Sequence, residues 1–241
     1  MKWQTLLGAM AVCWTILPVS TASAGDNNIL ILKQQGLGNT ISVDQFEATG
    51  SQVGGVSFNE NTLNLTTTDT AYPQNPEFEI FDYSNSIEMT SALANPVLQI
   101  GNDNEATITI EGDGDVVQLE QDSQGFAEGN EANIYVNSGN ETPSFGAVLQ
   151  TGGNNTANLT VNGGLNSGVI FQRGIDNIGN VEVNGTDVDA ILVQNGSNNN
   201  STVEASGTSS NYSYTLNASN TTGTVAVSSN GASVSITQSR F

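Results

Sequence analysis

The sequence predicts an all-β fold: a β-solenoid of about nine coils, each ~22 residues of strand, turn, strand and turn, stacked into two facing parallel sheets. Three observations predict it. The pattern Q-x-G-x-x-N recurs at Gln34/Gly36/Asn39, Gln99/Gly101/Asn104, Gln150/Gly152/Asn155, Gln172/Gly174/Asn177 and Gln194/Gly196/Asn199. After each Asn, small or apolar residues alternate with polar ones, as in "NEATITI" from Asn104 and "NTANLTV" from Asn155. That is the period-two signature of a strand with one buried face. Before each Gln stands another short apolar run, such as "GAVLQ", "SGVIFQ" and "DAILVQ".

The elements follow in chain order. Residues 1–24 read as a secretory signal: Lys2, an apolar run from Leu6 to Leu17, and a small-residue cleavage site "ASA" ending at Ala24. The repeat domain then runs over 25–241, and its first strand, "NILILKQQ", reads as uncapped. Gln34 to Gln45, "QQGLGNTISVDQ", is the first clear unit; "NTLNLTT" from Asn61 and "NSIEMTS" from Asn85 read as weaker copies. Between these, residues 71–83 ("AYPQNPEFEIFDY") break the pattern with Pro73, Pro76 and four aromatic residues. They read as an inserted loop, with a lateral contact or adhesion patch as the sharper alternative. Glu111 to Asp115, "EGDGD", reads as a solvated turn, because its acids lack the spacing of a calcium loop. Gln118 to Asn130 reads as the unit with extra turn residues, and Tyr212 to Val227 as a degraded copy before the final "VSITQ".

A repeat of this size cannot bury its own apolar face, but stacked copies can. Stacking also explains the amides. Equivalent residues lie above one another at the strand spacing, and a buried amide is costly unless hydrogen-bonded. Asn and Gln carry donor and acceptor, so identical side chains can bond up the stack, whereas stacked acids repel. The candidate structural residues are therefore the two amide rows, Gln34, Gln99, Gln150, Gln172 and Gln194, with Asn39, Asn104, Asn155, Asn177 and Asn199. The turn glycines Gly36, Gly101, Gly152, Gly174 and Gly196 supply the backbone freedom between them. Ordinary turn chemistry accounts for one Gly or Asn, not for the fixed spacing.

Composition narrows the function. The chain has no histidine, and its one cysteine, Cys13, lies in the leader with both tryptophans. After residue 24 there is no thiol or imidazole to act as nucleophile, base or metal ligand. No catalytic residue, metal site or cofactor is expected. A polysaccharide-cleaving solenoid with an acid pair is disfavoured, since no acid recurs beside a substrate platform. Beyond residue 24 only Lys33, Arg173 and Arg240 are basic, against 24 acidic residues. Nucleic acid and anionic bilayers are poor partners for such a surface.

The unit resembles the curlin repeat of curli amyloid subunits, roughly S-x5-Q-x-G-x2-N-x-A-x3-Q. "QQGLGNTISVDQ" matches its Q, G, N and final Q, with Ile41 at the Ala place; "QIGNDNEA" and "QTGGNNTA" match through Ala106 and Ala157. Gly179 and Ser201 take that place in the next two units, and Ile110, Val161, Val183 and Ala205 replace the final Gln. The resemblance implies an extracellular, self-assembling fibre subunit (major subunit or nucleator) of the cell surface, serving adhesion and biofilm. Its implied partners are other copies, a related curlin subunit or nucleator, and an outer-membrane secretion channel. The alternative is a secreted monomeric β-solenoid that binds a surface polysaccharide.

Overall fold

The computed structural model of the chain describes residues 20–25, 27–58, 70–71, 79–80, 87–89, 96–139, 142–231 and 233–239. Residues 1–19 of the expected leader and most of 71–83 lie outside them. In chain order the first strands are β1 (Ser20–Ala24), β2 (Ile29–Leu30), β3 (Leu32–Gln35), β4 (Thr40–Gln45), β5 (Gln52–Val53) and β6 (Val56–Phe58). Next come β7 (Thr70–Ala71), β8 (Glu79–Ile80), β9 (Ile87–Met89), β10 (Val97–Ile100), β11 (Glu105–Ile110), β12 (Val116–Asp122) and β13 (Glu131–Asn137). The remainder are β14 (Phe145–Gly153), β15 (Thr156–Asn162), β16 (Ser167–Ile175), β17 (Ile178–Ser197), β18 (Asn200–Asn217), β19 (Thr222–Asn230) and β20 (Ser233–Ser239).

These strands build a β-solenoid with two parallel faces. Sheet 1 stacks β3, β10, β12, β14, β16, the second half of β17, the second half of β18, and β20. Sheet 2 stacks β1, β4, β11, β13, β15, the first halves of β17 and β18, and β19. The long strands β17 and β18 run round the corner and join the two faces. Eight levels are present, one fewer than the repeat count suggests. The cause is local: β11 pairs directly with β4, Glu105 opposite Thr40, so no coil lies between them. Asn61 and Asn85 lie outside the described residues, and β9, just after Asn85, pairs antiparallel with β6 instead of joining the stack.

The chain thus leaves the solenoid after Gly55 and returns at Pro96, in the middle of one sheet-1 rung. β5 pairs with the start of β12 and β10 with its end. The excursion holds two short antiparallel pairs, β6 with β9 and β7 with β8. It is longer than the loop the pattern break at 71–83 suggests.

Alternation along each strand places one residue in two in the core. Sheet 2 contributes the column Val43, Ile108, Ile134, Leu159, Val181 and Val203; sheet 1 contributes Leu119, Val148, Ile170, Leu192 and Tyr214. All are buried, and each side chain contributes roughly 1.5–3 kcal/mol by leaving water. Because the register repeats, the residues of the sheet-2 column and of the sheet-1 column from Leu119 to Ile170 rest on aliphatic side chains above and below. Among the described residues the outer edge of "NILILKQQ" has no partner strand, since β3 pairs only with β10 and β2 only with β5; in sheet 2, β1 pairs with β4, Ser20 opposite Ile41 through Ala24 opposite Gln45.

Candidate functional site

The stack brings the predicted amides together as two columns at the first turn. In one, each Gln Nε2 donates to the Oε1 of the Gln one level on. Gln34 donates to Gln99 at 2.5 Å, Gln99 to Gln121 at 2.7 Å, and Gln121 to Gln150, Gln150 to Gln172 and Gln172 to Gln194 at 2.9 Å each. The same Nε2 groups also reach backbone carbonyls at the start of sheet 2, as Gln150 does to Glu131 (2.8 Å) and Asn155 (3.0 Å). The column therefore bolts the two sheets together as well as the levels.

Sequence reading missed Gln121. Its unit has a long turn, Asp122 to Gly129, which hides the spacing, and Gln118 looked the better match. Gln118 lies three residues earlier on the same strand; its Nε2 donates to the carbonyls of Pro96 and Leu119.

The second column is Asn39, Asn104, Asn130, Asn155, Asn177 and Asn199. Each Asn Oδ1 accepts from the backbone N–H and the Nδ2 of the next level. For Asn155 and Asn177 these distances are 3.2 Å and 3.0 Å, and for Asn177 and Asn199 they are 3.2 Å and 2.9 Å. The Nδ2 groups also donate to turn carbonyls one level on, such as Asn155 to Gly174 at 3.0 Å and Asn177 to Gly196 at 2.9 Å. Side-chain donation runs from early to late levels in the Gln column and from late to early in the Asn column. Both columns are buried, where an unmade amide bond is expensive.

The spacing within Q-x-G-x-x-N-x-A now has a steric cause. Gly174 has φ +128°, and a Cβ there would stand 1.8 Å from the carbonyl oxygen of Gly196 one level on. Gly152 has the same conflict with Gly174. From Asn104 to Asn199 the small residue two after each Asn makes room for the glutamines: a Cβ on Gly179 would lie 2.9 Å from Gln194 Oε1 and 3.0 Å from Gln172 Nε2.

A third column, unforeseen in the sequence, occupies the second turn. It stacks Ser51, Asp115, Ser144, Asn166, Val188 and Ser210. Asn166 Nδ2 donates to Gly185 O at 2.9 Å, and its Oδ1 accepts from Val188 N at 2.9 Å. This copies the Asn column with all but one of its amides replaced. A signal was present: Gly163, Gly174, Gly185, Gly196 and Gly207 lie eleven apart, all with positive φ. Each coil is thus two similar half-coils.

Asp115 corrects the reading of Glu111 to Asp115 as a solvated turn. It is fully buried and accepts from Ser144 N at 2.7 Å and Ser138 N at 3.1 Å. Burial raises its pKa above the usual 3.8, only partly offset by those N–H groups. On the outer face of sheet 2, Tyr135 donates to Glu111 Oε2 at 2.5 Å. Desolvation and that carboxylate both push its pKa up.

The columns fail toward the C-terminus. Leu216 takes the Gln place after Gln194, Thr221 takes the Asn place after Asn199, and Gln238 stands on Leu216. The last rung, β19 and β20, is largely exposed. Its inward Val225, Val227 and Val234 pack only partly on the core, and Ile236 is 38% exposed. The outward faces carry stacked acids, Glu105 on Glu131 and Glu182 on Glu204. A groove of about 320 Å³ is lined by Asp103, Glu105, Glu128 and Glu131 among others. No known family, curated protein or solved structure matches this chain.

Proposed function

We propose that this chain is the subunit of an extracellular, curli-like fibre, in which copies stack end to end and continue the solenoid. The observation that supports this best is the fit of the two ends. Position by position through the coil register, Gln238 is equivalent to Gln34, Ile236 to Leu32 and Val225 to Val43. A second copy laid with its β3 on β20 sets Gln34 on Gln238 and Leu32 on Ile236; sheet 2 ends one level earlier, at β19, and the level between β19 and the next copy's β4 is the one that β1 fills. Gln238 Oε1 accepts from Tyr214 Oη at 2.8 Å, which leaves its Nε2 to donate onward to Gln34 of the next copy, the sense of the whole Gln column. The exposed strand edge of β20 supplies the backbone template. Contacts of this head-to-tail kind do not close and so generate filaments.

Export with removal of residues 1–24 belongs to the same proposal, as do surface adhesion, a related nucleating subunit and a secretion channel. Cleavage after Ala24 takes β1 away, which uncovers the edge of β4 and leaves one sheet-2 level open at each junction.

The test uses residues 25–241, which contain no cysteine. Gln34→Cys and Gln238→Cys are placed in one chain and oxidised after incubation. Thioflavin-binding filaments, seeding, a ~4.7 Å meridional reflection and intermolecular disulfide ladders are expected. A β-rich monomer that stays soluble with seed overturns the proposal and favours a polysaccharide-binding solenoid.

A further inference from the structure

The outer face of sheet 2 changes character along the rod. One outward row reads Asp44, Thr109, Tyr135, Thr160, Glu182 and Glu204 on successive levels. The row beside it reads Ser42, Thr107, Asn133, Asn158, Asn180 and Thr202. Over β11, β13 and β15 both rows are uncharged, in a chain with 24 acids. This neutral window holds an open groove of about 230 Å³, lined chiefly by Thr107, Thr109, Asn133, Tyr135, Asn158 and Thr160.

Hydrogen bonds fix the side chains of the window. Asn133 Nδ2 donates to Asn158 Oδ1 at 3.1 Å, and Asn158 Nδ2 to Asn180 Oδ1 at 2.9 Å. Tyr135 is held by its far end: Oη donates to Glu111 Oε2 at 2.5 Å and accepts from Asn137 Nδ2 at 3.0 Å. Glu111 springs from the neighbouring level and Asn137 lies two residues further along β13. The ring therefore lies along the sheet instead of standing off it, and it is half-buried. Among the described strands it is the one aromatic side chain on this face.

We propose that this window binds a neutral, hydroxyl-rich polysaccharide, which runs along the rod across β11, β13 and β15 with a sugar stacked on Tyr135. A sugar ring has an apolar C–H face and a rim of hydroxyls. A pinned aromatic ring takes the first. Rows of amides and hydroxyls, each with donor and acceptor groups, take the second. The rows recur at the level spacing of ~4.8 Å, close to the rise of one sugar in an extended chain. An open groove suits a chain that passes through it, where a small ligand needs an enclosing cavity. Charge selects the neutral ligand. Asp44 and Glu182 close the two ends of the window, and Glu105 and Glu131 stand beside it, so an anionic chain is repelled.

The site lies on a sheet face, away from both ends of the rod, so it stands whether or not copies stack.

Calorimetric titration tests it on residues 25–241 at low ionic strength, where charge holds copies apart. The probes are a β-linked glucose hexamer and, as its anionic counterpart, a galacturonic acid hexamer. Saturable binding of the neutral hexamer is expected, with the anionic one at least ~10-fold weaker. Tyr135→Ala and Asn158→Leu should each weaken binding of the neutral hexamer about 10-fold. Thr224→Leu, in the same row as Asn158 but on the last rung, should leave it unchanged. No binding of the neutral hexamer, equal affinity for the anionic one, native affinity in Tyr135→Ala, or an equal loss in Thr224→Leu overturns the proposal. Circular dichroism checks that each variant keeps the fold. Should Tyr135→Ala lose it, Asn158→Leu decides, and native affinity there overturns the proposal.

Discussion

A buried column of amides is only as good as its weakest link, and this one has an engineered-looking gap at Leu216. Gln172 is held from both sides, so Gln172→Ala strands two neighbouring amides and opens a cavity. We expect a loss of about 2–4 kcal/mol in urea unfolding. Leu216→Gln runs the other way. Burying a polar group normally costs ~2 kcal/mol or more, but here Gln194 below and Gln238 above offer partners, so the midpoint should stay within about 1 kcal/mol of native. A drop of the usual size would show that the column does not extend. The turns give a matched pair. Gly174→Ala, with φ +128° and its Cβ driven into Gly196 O, should cost about 3 kcal/mol or more. Gly50→Ala, at φ +70° in open space, should cost about 1 kcal/mol. Asp115 sets a pH dependence. Its folded pKa is raised, so the fold favours the protonated form; the penalty is full above the raised value and disappears as pH falls toward 3.8. The native chain should therefore gain stability from this group as pH falls from its raised value toward 3.8. Asp115→Asn should lose that part of the gain, and equal pH slopes in both chains would refute the assignment.

At the scale of the element, a rung touches only the rungs beside it, so stability should grade along the stack. Amide exchange should be slowest in β15 to β17, where all three polar columns are populated, and fastest in β19 and β20, which lie beyond Leu216 and Thr221. Uniform protection would mean that the solenoid opens only as a whole. The rungs also show what the sequence made legible. From Gln150 to Asn199 the first-turn amides and glycines and the strands beside them could be placed in advance, because the unit repeats without insertion. Elsewhere two things hid the pattern. The segment after Asn85 imitates a solenoid strand, since a short alternating segment reads alike in a parallel coil and an antiparallel pair. The second-turn column carries Ser, Asp, Ser, Asn, Val and Ser, so no single residue type marks every level, although each short polar member supplies a similar bond. Composition could not reveal that Asp115 points inward, because that depends on which turn the level below supplies.

For the whole molecule, charge opposes association. The chain carries 24 acids against four basic residues, and its outward rows stack Glu on Glu. Stacking copies multiplies that repulsion, which salt screens over a length of ~10 Å at 0.1 M. The lag before filaments appear should shorten steeply as sodium chloride rises from low to physiological levels, and shorten again as pH falls. A lag indifferent to both would remove the acids as regulators of assembly, while leaving the end-to-end register to be judged by its own cross-links.

The two ends of this rod are different surfaces, one made of β3 and β1 and the other of β19 and β20. Such a pair has no mirror partner: two heads cannot dock, nor two tails. A filament built this way carries an arrow, and its two tips answer to different poisons. A copy with a sound first rung but a charged residue at Ile236 would board one tip and refuse the next arrival. It would act as a terminator, so a small admixture would fix filament length without touching the fold of any copy in the chain.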